Sequence, residues 1–233
     1  MTKIYWAGDS TVQNNNILTY PCTGIGQVFS LYLKDGYQVE NHAVNGRSTK
    51  SFLDESRLAP ISERIKEGDF FFIQFGHNDE KAEDPSRYTE PFTTYIENLE
   101  KYVNAARNKN AYPVLITPLE RRCFDQNGTL GAGAHTDYVC AMKHLAVQIE
   151  VPLVDLWQMS RDAMEKAGSE RSKKWYMHLP AGIYTNYPTG LEDNSHLRYD
   201  GAVLYAGCIA KGLHAIGGIY SEMLLASSLK ELL

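Results

Sequence analysis

No stretch of this sequence stays apolar for the roughly 18 residues that a membrane-spanning helix requires, so no helix of that kind is expected. Positive charge is not in excess either. The 23 Lys and Arg stand against 28 Asp and Glu, a formal net charge of -5, which argues against nucleic acid or an anionic membrane as a partner. Cysteine is scarce: Cys22, Cys123, Cys140 and Cys208 lie far apart, without the C-x-x-C spacing of zinc or dithiol sites. In a reducing compartment they are small apolar thiols, and disulfides are expected only if the protein is secreted. The opening MTKIYWAGDS has neither the apolar stretch nor the small-residue cleavage site of a signal peptide. A cytoplasmic location is therefore expected, unless a leader has been removed.

Several motifs are missing too. No G-x-G-x-x-G or G-x-x-x-x-G-K-[ST] phosphate loop occurs, which argues against a nucleotide-binding domain. No H-E-x-x-H is present to support a metalloenzyme, and no G-x-S-x-G elbow to support an α/β-hydrolase.

What remains is a chain of 233 residues, 43% of them hydrophobic, enough for one domain over residues 1–233 with a sizeable core. Strands are expected at 3–7, 37–43, 69–75, 113–117 and 151–155. The run DFFFIQF at 69–75 reads as a strand buried on both faces. Helices are expected near 26–33, after the loop at 45–48, at 91–108, at 136–150, from there on to about 174, and at 199–216. The segment before residue 199, rich in Tyr, Pro and Gly, reads as irregular. Strands alternating with helices argue for a three-layer α/β/α sandwich around a five-stranded parallel sheet, flavodoxin-like in plan.

Three of these strands end in polar clusters: GDST at 8–11, NGRS at 45–48 and GHND at 76–79. In open parallel sheets the ligand crevice lies beyond the carboxyl ends of the strands, so the three clusters should meet. Ser10, just after a strand, is placed for a nucleophile if a histidine takes its proton and a carboxylate orients that histidine. Of the seven histidines, His144 and His214 read as helix residues, whereas His196 follows Asp193 by three positions in LEDNSH. One turn of backbone would bring the Asp193 carboxylate to the imidazole. Acyl transfer also needs donors for an oxyanion. The Ser10 N–H, the N–H of Gly46 and the side-chain amide of Asn78 are the candidates. Asp9 and Asp79 read as loop braces.

In this order, the four blocks resemble those of the GDS-motif (SGNH) hydrolases, over residues 8 to 196. The resemblance implies a serine esterase with Ser10 as nucleophile, His196 as base and then acid, Asp193 as its orienter, and no cofactor or metal. The strings AGDST, NHAVNGRS, QFGHND and DNSH are similar to the rhamnogalacturonan acetylesterases within that family. That likeness implies removal of acetyl groups from acetylated pectic material, with imported oligosaccharides favoured by the missing export signal. His77 belongs to the subgroup's pattern and is a candidate substrate contact. Arg47 and Arg198, beside the site motifs, are candidates for galacturonate carboxylates. Tyr184, Tyr187 and Tyr199 are candidates for sugar stacking. Other esters on the same machinery (xylan or other sugar acetates, lipids, thioesters) stay open at this point, as does oligomeric state.

Overall fold

Five strands pair in parallel in the order β2-β1-β3-β4-β5: β1 (Thr2–Gly8), β2 (Tyr37–Asn41), β3 (Phe70–Gln74), β4 (Tyr112–Ile116) and β5 (Leu153–Val154). The coordinates are a computed structural model in which residues 1–227 are described. Side chains on a strand point alternately to opposite faces, so strands apolar throughout need cover on both sides. In β1, Ile4 and Trp6 enter one core while Tyr5 and Ala7 enter the other. β3 divides likewise, with Phe70 and Phe72 opposed to Phe71 and Ile73.

The cover comes from helices on each face. On one side pack α1 (Ile25–Val28), through Val28, and two longer helices from the second half of the chain. On the other pack α2 (Thr49–Asp54) through Phe52, α3 (Ala59–Arg64) through Ile61, α4 (Ile96–Arg107) through Leu99 and Tyr102, and α5 (Thr136–Gln148) through Leu145. The longer pair on the first face are α6 (Leu156–Ser172), with Met164 inward, and α7 (Tyr199–Ile216), with Tyr205, Ile209 and Leu213 inward. A short α8 (Gly218–Glu222) follows. The expected three-layer α/β/α arrangement is what these residues build. Fully burying one such side chain stabilises by about 1.5–3 kcal/mol, so both faces contribute heavily.

Local chemistry sets several ends. Ser48 caps α2, its hydroxyl accepting from the Ser51 N–H while the Ser51 hydroxyl accepts from the Ser48 N–H. The Asp155 carboxylate caps α6 at the Gln158 N–H, and Gly168 kinks that helix at φ 78. The helix expected over 26–33 is shorter, with a 3₁₀ turn at Phe29–Tyr32 replacing its second half. β5 has two residues rather than five.

The larger difference is in the segment expected to be irregular. It holds a separate antiparallel hairpin, β6 (Tyr176–Leu179) and β7 (Leu191–Leu197), whose connection takes the Gly, Pro and Tyr residues. β6 is buried but only four residues long, and the mostly half-buried β7 (LEDNSHL) is too polar to show the apolar alternation of a core strand.

The connectivity places the crevice. From β1 the chain moves outward to β2, then returns across β1 to β3, and this reversal opens a gap beyond the carboxyl ends of β1 and β3. GDST and GHND leave the sheet at those ends. Among the described residues, no helix is long and apolar enough to cross a membrane, and all four cysteines are free.

Candidate active site

Gly8 closes β1 where the backbone has no room for a side chain: a Cβ there would lie 3.0 Å from the Gln74 carbonyl oxygen and 3.1 Å from Val12. The turn that follows is tied by Asp9, whose carbonyl accepts from the Val12 and Gln13 N–H groups. Its buried carboxylate accepts from the Thr11 N–H at 2.9 Å and the Thr11 hydroxyl at 2.8 Å. Ser10 sits at the tip of this turn.

His196 meets it there. Its Nε2 lies 2.9 Å from Ser10 Oγ, and its Nδ1 lies 2.6 Å from Asp193 Oδ2. With Nδ1–H donated to the carboxylate, Nε2 is left as acceptor for the serine hydroxyl. The route from Asp193 to His196 is not the simple turn expected from the sequence. Tyr176 pairs with Leu197 but Met177 pairs with Asp193, so Asn194, Ser195 and His196 bulge out of the hairpin. Within the bulge, Asp193 Oδ1 accepts from the Ser195 N–H at 2.7 Å and the His196 N–H at 3.0 Å.

The electrostatics follow from these contacts. Burial pushes the Asp193 carboxyl upward, but the hydrogen bond and charge of His196 and the two backbone donors outweigh it, bringing the group down to about 2. The Asp193 hydrogen bond raises the pKa of His196 above the ordinary imidazole value, against the opposing effect of burial. The pair therefore combines a firmly ionised carboxylate with a strengthened base.

The loops after β2 and β3 supply the expected donors. Gly46 adopts φ 77, a left-handed conformation that glycine takes without steric cost. Among the described residues, neither the Gly46 nor the Ser10 N–H has a hydrogen-bond partner. The Asn78 amide is oriented from both ends, Nδ2 donating to the Arg47 carbonyl at 3.0 Å and Oδ1 accepting from Arg87 Nη1 at 3.2 Å. One amide hydrogen remains for a ligand. Asp79 braces the same loop, accepting from the Thr49 N–H and hydroxyl and from the Thr89 hydroxyl, and burial pushes its carboxyl up to about 7. The catalytic pocket encloses ≈ 160 Å³ between Ser10, His196, Asn45, Met177, Tyr187 and Leu191.

Two expected substrate contacts are elsewhere. His77 is buried beneath the loop rather than facing ligand: its Nδ1 lies 3.5 Å from Asp9 Oδ2, and its ring centroid 4.2 Å from that of His135. His135 in turn contacts Glu80 at 2.7 Å, and Glu80 pairs with Arg121 at 2.9 Å. This chain, buried at His77 and His135, joins the GDST turn to the GHND loop. The Arg47 guanidinium is bound to Glu55 Oε2 at 3.0 Å and to the Asn45 carbonyl at 2.8 Å, so its backbone carbonyl serves the site and its charge does not. Tyr187 lines the catalytic pocket, while Tyr184, Arg198 and Tyr199 line a groove beside it.

Arg122 carries no motif signal, yet it holds the bulge. Its N–H donates to the Asn194 carbonyl at 2.9 Å and its Nη1 to Asn194 Oδ1 at 3.1 Å. The rest of the buried guanidinium binds Ser172 and the Ser169 carbonyl, and His178 Nε2 contacts Asn194 Oδ1 at 2.8 Å. Only the folded chain brings residue 122 to residue 194.

Known proteins share this plan. A model of the GDSL-like lipase/acylhydrolase family matches residues 7–184. The chain is 39% identical over 231 residues to the rhamnogalacturonan acetylesterase RhgT of Bacillus subtilis, covering 98% of this chain and 97% of that protein. It is 37% identical over 222 residues to the probable rhamnogalacturonan acetylesterase YesY of the same organism, covering 95% and 97%. The crystal structure of Bacillus subtilis YxiM superposes with a TM-score of 0.78 at 26% identity, over 93% of this chain and 57% of that one. With a family match over most of its length and near-full-length relatives, the chain belongs to the GDSL-like lipase/acylhydrolase family.

Proposed function

We propose that the protein is a serine esterase that removes acetyl groups from acetylated rhamnogalacturonan oligosaccharides. The observation that carries this reading is the continuous path Ser10 Oγ, His196 Nε2, His196 Nδ1, Asp193 Oδ2, with contacts of 2.9 and 2.6 Å. Relatives named as rhamnogalacturonan acetylesterases cover nearly the whole chain and support the substrate. The ≈ 160 Å³ catalytic pocket suits an acetyl group better than a long acyl chain.

In this reading Ser10 Oγ attacks the acetyl carbonyl carbon as its proton passes to His196 Nε2. The resulting oxyanion is stabilised by the Ser10 N–H, the Gly46 N–H and the free hydrogen of Asn78 Nδ2. Collapse breaks the bond to the sugar oxygen, which leaves with the proton from His196, and an acetyl-enzyme remains. A water molecule then gives its proton to His196, attacks the acetyl carbon, and releases acetate with Ser10 restored. Asp193 orients the imidazole throughout and stabilises its charged form. No step calls for a cofactor.

The test is acetate release from acetylated rhamnogalacturonan oligosaccharides, with acetylated xylan and p-nitrophenyl acetate in parallel. Release from the pectic substrate, abolished in a folded Ser10→Ala variant, is the expected result. Turnover of p-nitrophenyl acetate with neither polysaccharide would overturn the substrate, and substantial turnover by Ser10→Ala would overturn the nucleophile.

A further inference from the structure

The turn that presents Ser10 accounts for only half of the Asp9 carboxylate. Oδ1 accepts from the Thr11 N–H and hydroxyl, whereas the buried Oδ2 has His77 Nδ1 at 3.5 Å and no closer hydrogen-bond partner among the described residues. Eight buried side-chain nitrogen and oxygen atoms lack a hydrogen bond among the described residues, and five of them fall in this one cluster. They are Asp9 Oδ2, both ring nitrogens of His77, His135 Nε2 and Arg121 Nε. Burial opposes ionisation of Asp9, but His77 and the Thr11 donors outweigh it and hold the carboxyl below its ordinary range. A buried carboxylate oxygen without a donor is costly, so the contact calls for a proton on His77 Nδ1. The His77 ring is backed by His135, centroid to centroid 4.2 Å, and His135 Nδ1 lies 2.7 Å from Glu80. His135 itself has φ 62 at the start of α5, a strained conformation for a residue with a side chain, and such strain gathers at functional sites. His77 also precedes Asn78. β1 and β3 pair as far as Gly8 and Gln74; beyond them, Asp9–His77 is the one side-chain polar contact between the 9–13 turn and the 76–80 loop among the described residues.

We propose that His77 is a positioning residue for the nucleophile. It donates Nδ1–H to Asp9 Oδ2, and so fixes the turn that aims Ser10 Oγ at His196 and keeps the Ser10 N–H in register with the Asn78 amide. The inference rests on the serine esterase reading and not on the identity of the sugar. His77 touches neither substrate nor reacting atoms; its effect passes through Asp9. Without the donor, the Asp9 carboxylate is free to turn toward another partner, and Ser10 moves with it. A small displacement of a nucleophile costs rate far more than it costs binding. The loss therefore belongs in kcat, whereas a substrate contact would show in KM.

Two amides that imitate opposite ends of an imidazole provide the experiment. Asparagine can place an N–H near the position of Nδ1, glutamine near that of Nε2. With p-nitrophenyl acetate, His77→Gln is expected to lose about 10²-fold in kcat with KM little changed, and His77→Asn to return to within about fivefold of wild type. Glutamine fills the volume of the ring better, so a residue needed for packing alone would give the reverse order. That order, or equal losses in the two variants, would overturn the proposal. A raised KM at unchanged kcat would overturn it too, and return His77 to substrate binding. Ser10→Ala separates this inference from the reading beneath it. If that variant still turns over p-nitrophenyl acetate, the nucleophile and the inference fall together; if it is inactive, a wrong order of Asn and Gln counts against His77 alone. The wild type supplies a measurement that does not depend on the folding of any variant. Nitrogen NMR of isotopically labelled histidine should show His77 Nδ1 protonated at the pH of maximal turnover, and a bare Nδ1 would overturn its role as donor.

Discussion

Ser10 and His196 meet across 2.9 Å, yet they are held by very different means. Ser10 stands at the end of a central strand flanked on both sides by parallel neighbours, on a turn fixed by the buried Asp9 carboxylate. Asn78 is carried the same way by β3, between Asp79 below and Arg87 beside it. His196 and Asp193 belong instead to a two-stranded hairpin outside the main sheet, in a half-buried bulge. That hairpin is tied to the body at its inner end, by Tyr176 and Leu197 in the core, by the Tyr176 hydroxyl on the Glu120 carbonyl at 3.1 Å, by the Thr23 N–H on the Leu197 carbonyl at 2.9 Å, and by the grip of Arg122 on Asn194. Ser10 is held by the central sheet; the position of His196 depends on how the hairpin docks. Alignment of Ser10, His196 and Asp193 is therefore a tertiary property, set on one side by the central sheet and on the other by how the hairpin packs.

The comparison can be broken most severely at the base. Asp193→Asn keeps the shape but removes the charge that orients His196. The expected loss in kcat is about 10⁴-fold, the scale for the same change in a serine-protease triad. The pH profile sharpens this prediction. His196 must be neutral to accept the Ser10 proton, and Asp193 raises its pKa, so the acid limb of kcat/KM should lie above the ordinary imidazole value. In Asp193→Asn that limb should move to lower pH. A limb that stays in place would detach His196 from the limb.

On the nucleophile side, Asn78→Ala removes one oxyanion donor from a loop that Asp79 still holds. The expected loss is about 10²–10³ in kcat, with KM little changed, measured by steady-state acetate release. A kcat equal to wild type would take Asn78 out of the hole.

Arg122→Gln tests the dependence of the base on docking. It leaves Asn194 without one donor and costs about 1–3 kcal/mol, read from denaturant unfolding. A kcat loss of roughly tenfold should accompany it, with partial rescue by Arg122→Lys. If stability falls while kcat holds, the hairpin is anchored well enough without Arg122. Arg47→Ala should have the smallest effect, within about 1 kcal/mol in stability, since its half-exposed guanidinium makes a surface ion pair with Glu55 and one local hydrogen bond to the Asn45 carbonyl. A large loss of activity on the pectic substrate would return that charge to substrate binding.

The sequence was legible where chemistry and secondary structure coincide. DFFFIQF declares a strand covered on both faces, and the glycine-containing polar clusters after such strands mark the crevice. Where the two part company the reading failed. His77 lies inside a legible motif, but its burial beneath Asp9 depends on His135, a residue 58 positions later in the chain. Arg47 is adjacent to Gly46, yet the turn that presents the glycine N–H sends the arginine side chain to Glu55. The β6–β7 hairpin carries little signal because β6 is only four residues long and the half-buried β7 needs no apolar alternation.

By itself, the sequence determined the α/β layering and the burial of the central strands on both faces, and it singled out Ser10, Gly46, Asn78, Asp193 and His196 as candidates. These are consequences of local pattern, in which apolar periodicity selects elements and small or polar residues end them. Tertiary structure alone decided that the Asn194–His196 bulge faces the GDST turn, that Arg122 grips it, and that Arg198 is held against Tyr184. Those outcomes depend on which distant side chains find one another once both cores have closed, and no spacing along the chain encodes that encounter.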